Sequence, residues 1–416
     1  MKLLWRVRFS VPSSPVMINV NHSKKEKMLG GMDSSLQIKN LDTGEIISIE
    51  EYVSSEASKK YSVSMGDNQQ TKIIKPRHFL KNKKNAFFNN AVISQSIKCH
   101  NGSVRCIKSS PNGKYFASGD ECGVVVLFSW DPTTKKVKQL SNFEEHKSDI
   151  TCLDFSKDDD LLISSSLDCS VKLWHSTQTK SLSTFKHEDS VTAVSFHPSD
   201  PSIFFACTFP NYVLVWNIKQ SEIIKTIDFT SAPTAGTFSP DGHSIVIGCF
   251  NGFCYIYSYP EFQYVTQFVA GPRKKVHKPS EKVTSLVYIN DNRLFVSTND
   301  SRIRLYSMDN FSLIRKYIGH VAEVGQAQMS CSSDQNLVMI PSEKKGAIYI
   351  YPIDHERYFK AKFMKNSFSR ERSQTSEGFK LKDTNVTSAA FIGNSSISSL
   401  SIVCGDTGGN VYVLCN

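Results

Sequence analysis

The chain has eleven cysteines but no C-x-x-C spacing, and the glycine patterns G-x-G-x-x-G and G-x-x-x-x-G-K-[ST] are both missing. The first absence removes the ordinary zinc-knuckle and dithiol redox motifs, the second the phosphate cradles of dinucleotide- and triphosphate-binding enzymes. No apolar run approaches the roughly 18 residues that a membrane helix needs. The opening MKLLWRVRFSVPSS puts Arg6 and Arg8 where a secretory leader requires unbroken apolar residues, so secretion is not expected. Helical amphipathic periodicity is also lacking between residues 95 and 350. Most cysteines, such as Cys106, Cys152, Cys207, Cys249 and Cys404, sit inside apolar runs. They read as small buried hydrophobes in a reducing compartment, with no metal or cofactor expected.

What is present is ordinary globular composition, 40% hydrophobic and 21% charged, with a formal charge of +10 that favours acidic partners without choosing among them. Seven β-rich runs recur, GVVVLF, SVKLW, YVLVW, FCYIY, RIRLY, AIYIY and NVYVL. They close on Phe128, Trp174, Trp216, Tyr257, Tyr306, Tyr351 and Leu414, at intervals of 46, 42, 41, 49, 45 and 63 residues. Each unit has the same order: a strand such as DITCLDFS, a turn such as KDDD or PDGH, an apolar strand such as LLISSS, a second turn, and the aromatic-ended strand. A period near 40–45 residues with several short strands per unit is the pattern of propeller blades. The last unit ends after its third strand, and the apolar run AVISQSI at 91–97 can supply the fourth. The expected fold is therefore all-β, a seven-bladed propeller closed by an N-terminal strand, which leaves no open edge.

Within one unit stand His146, Ser164, Asp168 and Trp174, the last six residues beyond the aspartate. That order resembles the WD40 repeat family, in which the four side chains form a hydrogen-bonded network inside a blade. A buried carboxylate is tolerated only when its lone pairs are satisfied, so the four are read as structural. A Ser-His-Asp triad could be drawn through the same residues, but the recurrence of these positions argues for architecture, and no enzymatic activity is expected. Other units are degraded copies: Asp300 and Tyr306 keep part of the pattern, Asn251 replaces the aspartate before Tyr257, and Pro210 replaces it before Trp216. His100, His187 and His320 hold the upstream histidine position.

Three segments, His100–Gly119, Leu161–Pro198 and Val283–His320 with its TNDSRIRLY, are similar to the rabphilin-like WD repeat-containing protein 44 subfamily. The resemblance implies a non-catalytic scaffold of vesicle traffic, with a Rab-type small GTPase among its partners. In the animal member the Rab-binding region lies outside the propeller. Outside the repeats, residues 1–90 are expected as a partly flexible N-terminal extension, and residues 91–416 as the propeller with a long basic insertion at about 354–383. The candidate partner-binding residues are Lys274 and Lys275 in one inter-blade loop, with Arg357, Phe359, Lys362 and Phe363 in the insertion, where arginines and lysines alternate with aromatics. The alternative reading is a basic propeller associated with RNA or a ribonucleoprotein. The chain is expected to be a cytoplasmic monomer, peripheral on endomembranes if traffic is its role.

Overall fold

The computed structural model describes residues 92–271, 281–289, 292–322, 327–343, 346–353, 372–373, 377–381, 385–395 and 399–416, together with three short strands near the N-terminus. By internal contact the chain forms two units, residues 1–70 and 71–416. In the first, Val16–Ile18, Gln37–Asn40 and Ile46–Ser48 make an antiparallel three-stranded sheet.

The second unit is a ring of seven sheets. Blade 1 spans Val104–Phe143, blade 2 Ile150–Lys186, blade 3 Val191–Asp228 and blade 4 Pro233–Val269. Blade 5 spans Val283–Ile318, blade 6 Ser330–Lys380, and blade 7 joins Val386–Cys415 to Val92–Lys98. Each has four antiparallel strands whose first is innermost, so the first strands run in one direction around a central channel. The turn between second and third strands and the link into each first strand share one mouth, here the upper; the other turns lie at the lower mouth.

Alternation within the strands sends apolar residues to both faces of each sheet, and the core is consequently divided. Among the described residues seven apolar clusters occur, each shared by two adjacent blades. Phe143 of blade 1 stacks on Trp174 of blade 2 with ring centroids 4.5 Å apart. The joint between blades 7 and 1 has the same character, with Val403, Val411 and Val413 against Val104, Phe116 and Phe128.

Closure is by the N-terminal strand. Val92–Lys98 pairs antiparallel with Asn410–Cys415, from Val92 opposite Cys415 to Lys98 opposite Asn410. Within the segment read from sequence as one insertion, 354–383, the structure finds two strands. Glu377–Lys380 is the outer strand of blade 6, and Arg372–Ser373 adds a short parallel pairing to the outer edge of blade 5.

At the lower mouth a serine organises the first turn of several blades. The Ser110, Ser156, Ser239 and Ser332 hydroxyls accept the amides of Tyr115, Leu161, Ser244 and Leu337. Three residues on, the backbone enters the left-handed region at Gly113, Asp159, Gly242 and Gln335. Asp159 accepts that strain while its buried carboxylate takes the Ser110 hydroxyl at 2.8 Å and the Asn112 amide at 3.1 Å, tying blade 2 to blade 1.

Candidate functional site

The four residues singled out in blade 2 come together. Trp174 Nε1 donates to Ser164 Oγ at 2.8 Å, Ser164 lies 2.8 Å from His146 Nε2, and His146 Nδ1 lies 2.9 Å from Asp168. With the indole proton directed at Ser164, the serine proton goes to Nε2, and the Nδ1–H tautomer then donates to the carboxylate. Burial pushes the Asp168 carboxyl up, but His146, Ser170 and the Lys147 amide more than offset it, holding it well below the usual carboxylate range. Ser164 is fully buried, so its hydroxyl has no path to a substrate.

A second network escaped the sequence reading. In blade 1 His100 Nε2 meets Ser118 Oγ at 2.6 Å and Nδ1 meets Asp120 at 3.1 Å. The carboxylate comes two residues after the serine here and four after it in blade 2. From the strand end Asp120 also accepts the amides of Cys122 and Val124. Blade 3 has lost the network: Ala206 holds the register of Ser164, and Trp216 Nε1 and both ring nitrogens of His187 are buried without a partner. Blade 5 substitutes ions. Arg304, 1% exposed, pairs with Asp300 and lies 3.6 Å from Glu281. Burial and the neighbouring Asp300 raise the Glu281 carboxyl, whereas for Asp300 the cost of burial is outweighed by Arg304 and Thr298, and it stays low.

Above these networks the upper mouth repeats one tether seven times. The first residue after each second strand donates its amide into the link that leads to the first strand of its blade, to the carbonyl just before that strand in six blades and to Val321, earlier in the link, in blade 6. The donors are Glu121, Leu167, Phe209, Phe250, Asn299, Glu343 and Thr407. Left-handed glycines seat the turns against the next blade: a Cβ on Gly123, Gly252 or Gly409 would come within 2.7 Å of the backbone oxygen of His146, Glu281 or His100. The backbone is tethered in every blade, yet the side chains at this register run Glu, Leu, Phe, Phe, Asn, Glu and Thr. Leu167, Phe209 and Phe250, on three adjacent blades, are 43%, 56% and 54% exposed.

The channel below is also organised by register. The second residue of the innermost strand is Arg105, Thr151, Thr192, Thr234, Thr284 and Thr387 in six blades, and in blade 6 Gln328 stands two residues before that strand. Thr151, Thr192 and Thr234 each donate to a carbonyl of the following blade, at 2.8, 2.8 and 2.6 Å, and Thr387 likewise clasps Val104. Gln328 reaches across the channel to the Thr151 carbonyl at 3.3 Å. Further down, Lys108 and Asp154 pair at 3.0 Å in a cavity of about 320 Å³. Among the described residues no group of three or more His, Cys, Asp or Glu suits a metal ion, and no helix is long and apolar enough to cross a membrane.

Lys274, Lys275, Arg357, Phe359, Lys362 and Phe363 lie outside the described residues. The exposed ring of the upper mouth was legible only as a class of position, the turn after the second strand. Its members share no residue type, so no motif could find them.

The WD domain, G-beta repeat family matches residues 92–129, 137–175 and 179–217. Each match takes in an outer strand and the three inner strands of the next blade, so the repeat straddles the blade boundary. WD repeat-containing protein 44 of Xenopus laevis is 34% identical over 149 residues, 36% of this chain and 16% of that protein. An uncharacterised WD repeat-containing protein of Schizosaccharomyces pombe is 27% identical over 383 residues, 82% of this chain and 64% of that one. The chain thus spans less than two thirds of the length of either relative. Among solved structures, the β-propeller domain of Cps50 (Swd1) from Myceliophteria thermophila superposes with a TM-score of 0.61 at 17% identity, covering 78% of this chain and 99% of that one; at that identity the likeness concerns the fold. Three WD40 repeats are thus matched within residues 92–217, and the second unit folds as a seven-bladed β-propeller.

Proposed function

We propose that this chain is a non-catalytic scaffold that binds other proteins over the upper mouth of its propeller, with residues 1–90 as a separable extension. WD40 propellers are generally protein-interaction scaffolds. The observation that carries the reading here is the seven-fold amide tether with its non-repeating exposed side chains. Buried positions are spent on architecture, while the exposed register changes around the mouth, acidic at Glu121, apolar at Leu167, Phe209 and Phe250, and polar at Thr407. A rigid frame of this kind recognises a partner without an ordering cost of its own. The basic segments around Lys274, Lys275, Arg357, Phe359, Lys362 and Phe363 are a second contact area in this proposal. Similarity to WD repeat-containing protein 44 makes a Rab-type GTPase of vesicle traffic the first partner to seek.

The test is affinity capture from lysate, with and without nuclease, using wild type beside a variant lacking residues 356–370. That deletion spares Arg372–Ser373 and the blade 6 strand Glu377–Lys380. Nuclease-resistant protein partners, with a small GTPase retained only in its triphosphate form, support the reading. Capture of RNA alone, with binding that falls steeply as salt rises, would overturn it in favour of the RNA alternative.

A further inference from the structure

The upper mouth has an uneven charge and apolar pattern that narrows the partner. Leu167, Phe209 and Phe250 occupy one register position on blades 2, 3 and 4, and all three are more than 40% exposed. Tyr212, which opens the third strand of blade 3, adds a ring 37% exposed, and Pro210 between them is exposed as well. On blades 1 and 7 the same register carries Glu121 and Thr407. The apolar side chains are therefore an arc on one side of the mouth rather than a ring. Exposed Phe and Leu at neighbouring positions of a stiff frame are a feature that water-facing turns ordinarily avoid.

Two carboxylates stand on a link that enters at this arc. The link into blade 3 runs through Glu188, Asp189 and Ser190. Ser190 is fixed on both sides: its hydroxyl donates to the Leu167 carbonyl at 3.2 Å, and its own carbonyl accepts the Phe209 amide at 2.9 Å. Glu188 and Asp189 directly precede this fixed residue, on the link that enters between the Leu167 and Phe209 turns. Among the described residues no cation lies within ion-pair distance of either. Lys147 and Lys186 are exposed nearby but pair with neither. Other carboxylates at the mouth do have a cation. Arg105 pairs with Glu121 at 3.0 Å and with Asp149 at 3.2 Å, and Arg302 and Arg304 pair with Asp300.

We propose that this arc docks an extended segment of another protein in which a lysine or arginine stands between bulky apolar side chains. The proposal rests on the scaffold reading above and names the partner's chemistry at one part of the mouth. Apolar side chains of the segment cover Leu167, Phe209 and Phe250, and its cation meets Glu188 and Asp189. Desolvating those carboxylates without a cation would be costly, so the surface discriminates against acidic segments as well as favouring basic ones. The same carboxylates repel phosphate, which sets this part of the mouth against nucleic acid despite the overall charge of +10.

The test uses the full chain and a displayed library of peptides about 12 residues long, some 40 Å when extended, followed by matched synthetic peptides with Lys or Glu between the apolar residues. Wild type is expected to enrich the basic set and to bind the Lys peptide at least about ten-fold more tightly than its Glu counterpart. Glu188→Lys with Asp189→Lys reverses that preference, and Phe209→Ser weakens both peptides about ten-fold or more. Equal binding of the two peptides by wild type, or an unchanged ratio in the lysine variant, overturns the proposal. Melting curves check that the variants fold, and the charge reversal keeps the test decisive if Phe209→Ser does not. Capture from lysate separates the two levels of inference. If captured proteins survive both variants, this docking arc is wrong and the scaffold reading stands; if wild type captures no protein, the scaffold reading falls too.

Discussion

Blades 2 and 3 offer a reciprocal experiment on the same network. In blade 2 Ser164 mediates between the Trp174 indole and His146. In blade 3 the histidine and the indole remain, edge-on with ring centroids 5.5 Å apart against 6.3 Å in blade 2, but Ala206 brings no hydroxyl between them. Ser164→Ala should leave Trp174 Nε1 buried and unpaired and break the chain to Asp168, at a cost of about 2–3 kcal/mol. Ala206→Ser should do the reverse: its hydroxyl can accept from Trp216 Nε1 and donate to a His187 nitrogen, both now unpaired. Two hydrogen bonds of about 1 kcal/mol each, less the desolvation of the new hydroxyl, leave a net gain of roughly 1 kcal/mol. In a domain of this size that is about 1–2 °C in Tm. Denaturant melts of the two variants beside wild type provide the readout. If Ala206→Ser destabilises as much as Ser164→Ala, steric room governs the site, and treating blade 3 as a vacated copy of blade 2 is refuted.

Burial pushes the His187 and His320 imidazoles down to about 4 from the ordinary 6.5. The unfolded chain therefore binds more protons between those values, stability is fully present above pH 6.5, and it is lost progressively as pH falls towards 4, by roughly 3 kcal/mol per histidine at the limit. Urea midpoints across that range should slope accordingly in wild type and flatten in His187→Gln and His320→Gln. Thr192→Val keeps the shape but removes the clasp on Pro233, and should cost about 1 kcal/mol in a denaturant melt, because a hydrogen bond between neighbouring blades is lost. Arg304→Met leaves Asp300 and Glu281 with only the half-exposed Arg302 as cation; an expected loss of about 3 kcal/mol, largest at high pH, is read by melting at two pH values.

The parts of the molecule written once per repeat were legible in the sequence. The strand–turn–strand order, the closing strand and the blade 2 network all depend on local spacing, and spacing survives in one dimension. The blade 1 network was hidden because its carboxylate reaches the histidine from the strand end, two residues earlier than in blade 2, and a motif defined by one offset passes over it. The threonine clasps carry no local signal at all: Thr151 and Thr192 acquire meaning only when the ring sets them beside the next blade. Blade 6 was obscured for another reason. Its outer strand follows its third by a long basic stretch, so Glu377–Lys380 read as part of the insertion. Of the candidate contacts, the basic and aromatic residues drew attention by composition, whereas Leu167, Phe209 and Phe250 look like ordinary apolar residues until the turn places them in water.

The closing strand has a mechanical consequence. Because Val92 lies opposite Cys415 and the pairing is antiparallel, the chain enters and leaves blade 7 at the same end of the sheet. A load applied between the segment before Val92 and the segment after Cys415 would open the hydrogen bonds one pair at a time, as a zipper, instead of shearing all of them together. The ring would yield at this seam under low force while its other joints, each crossed by continuous chain, held.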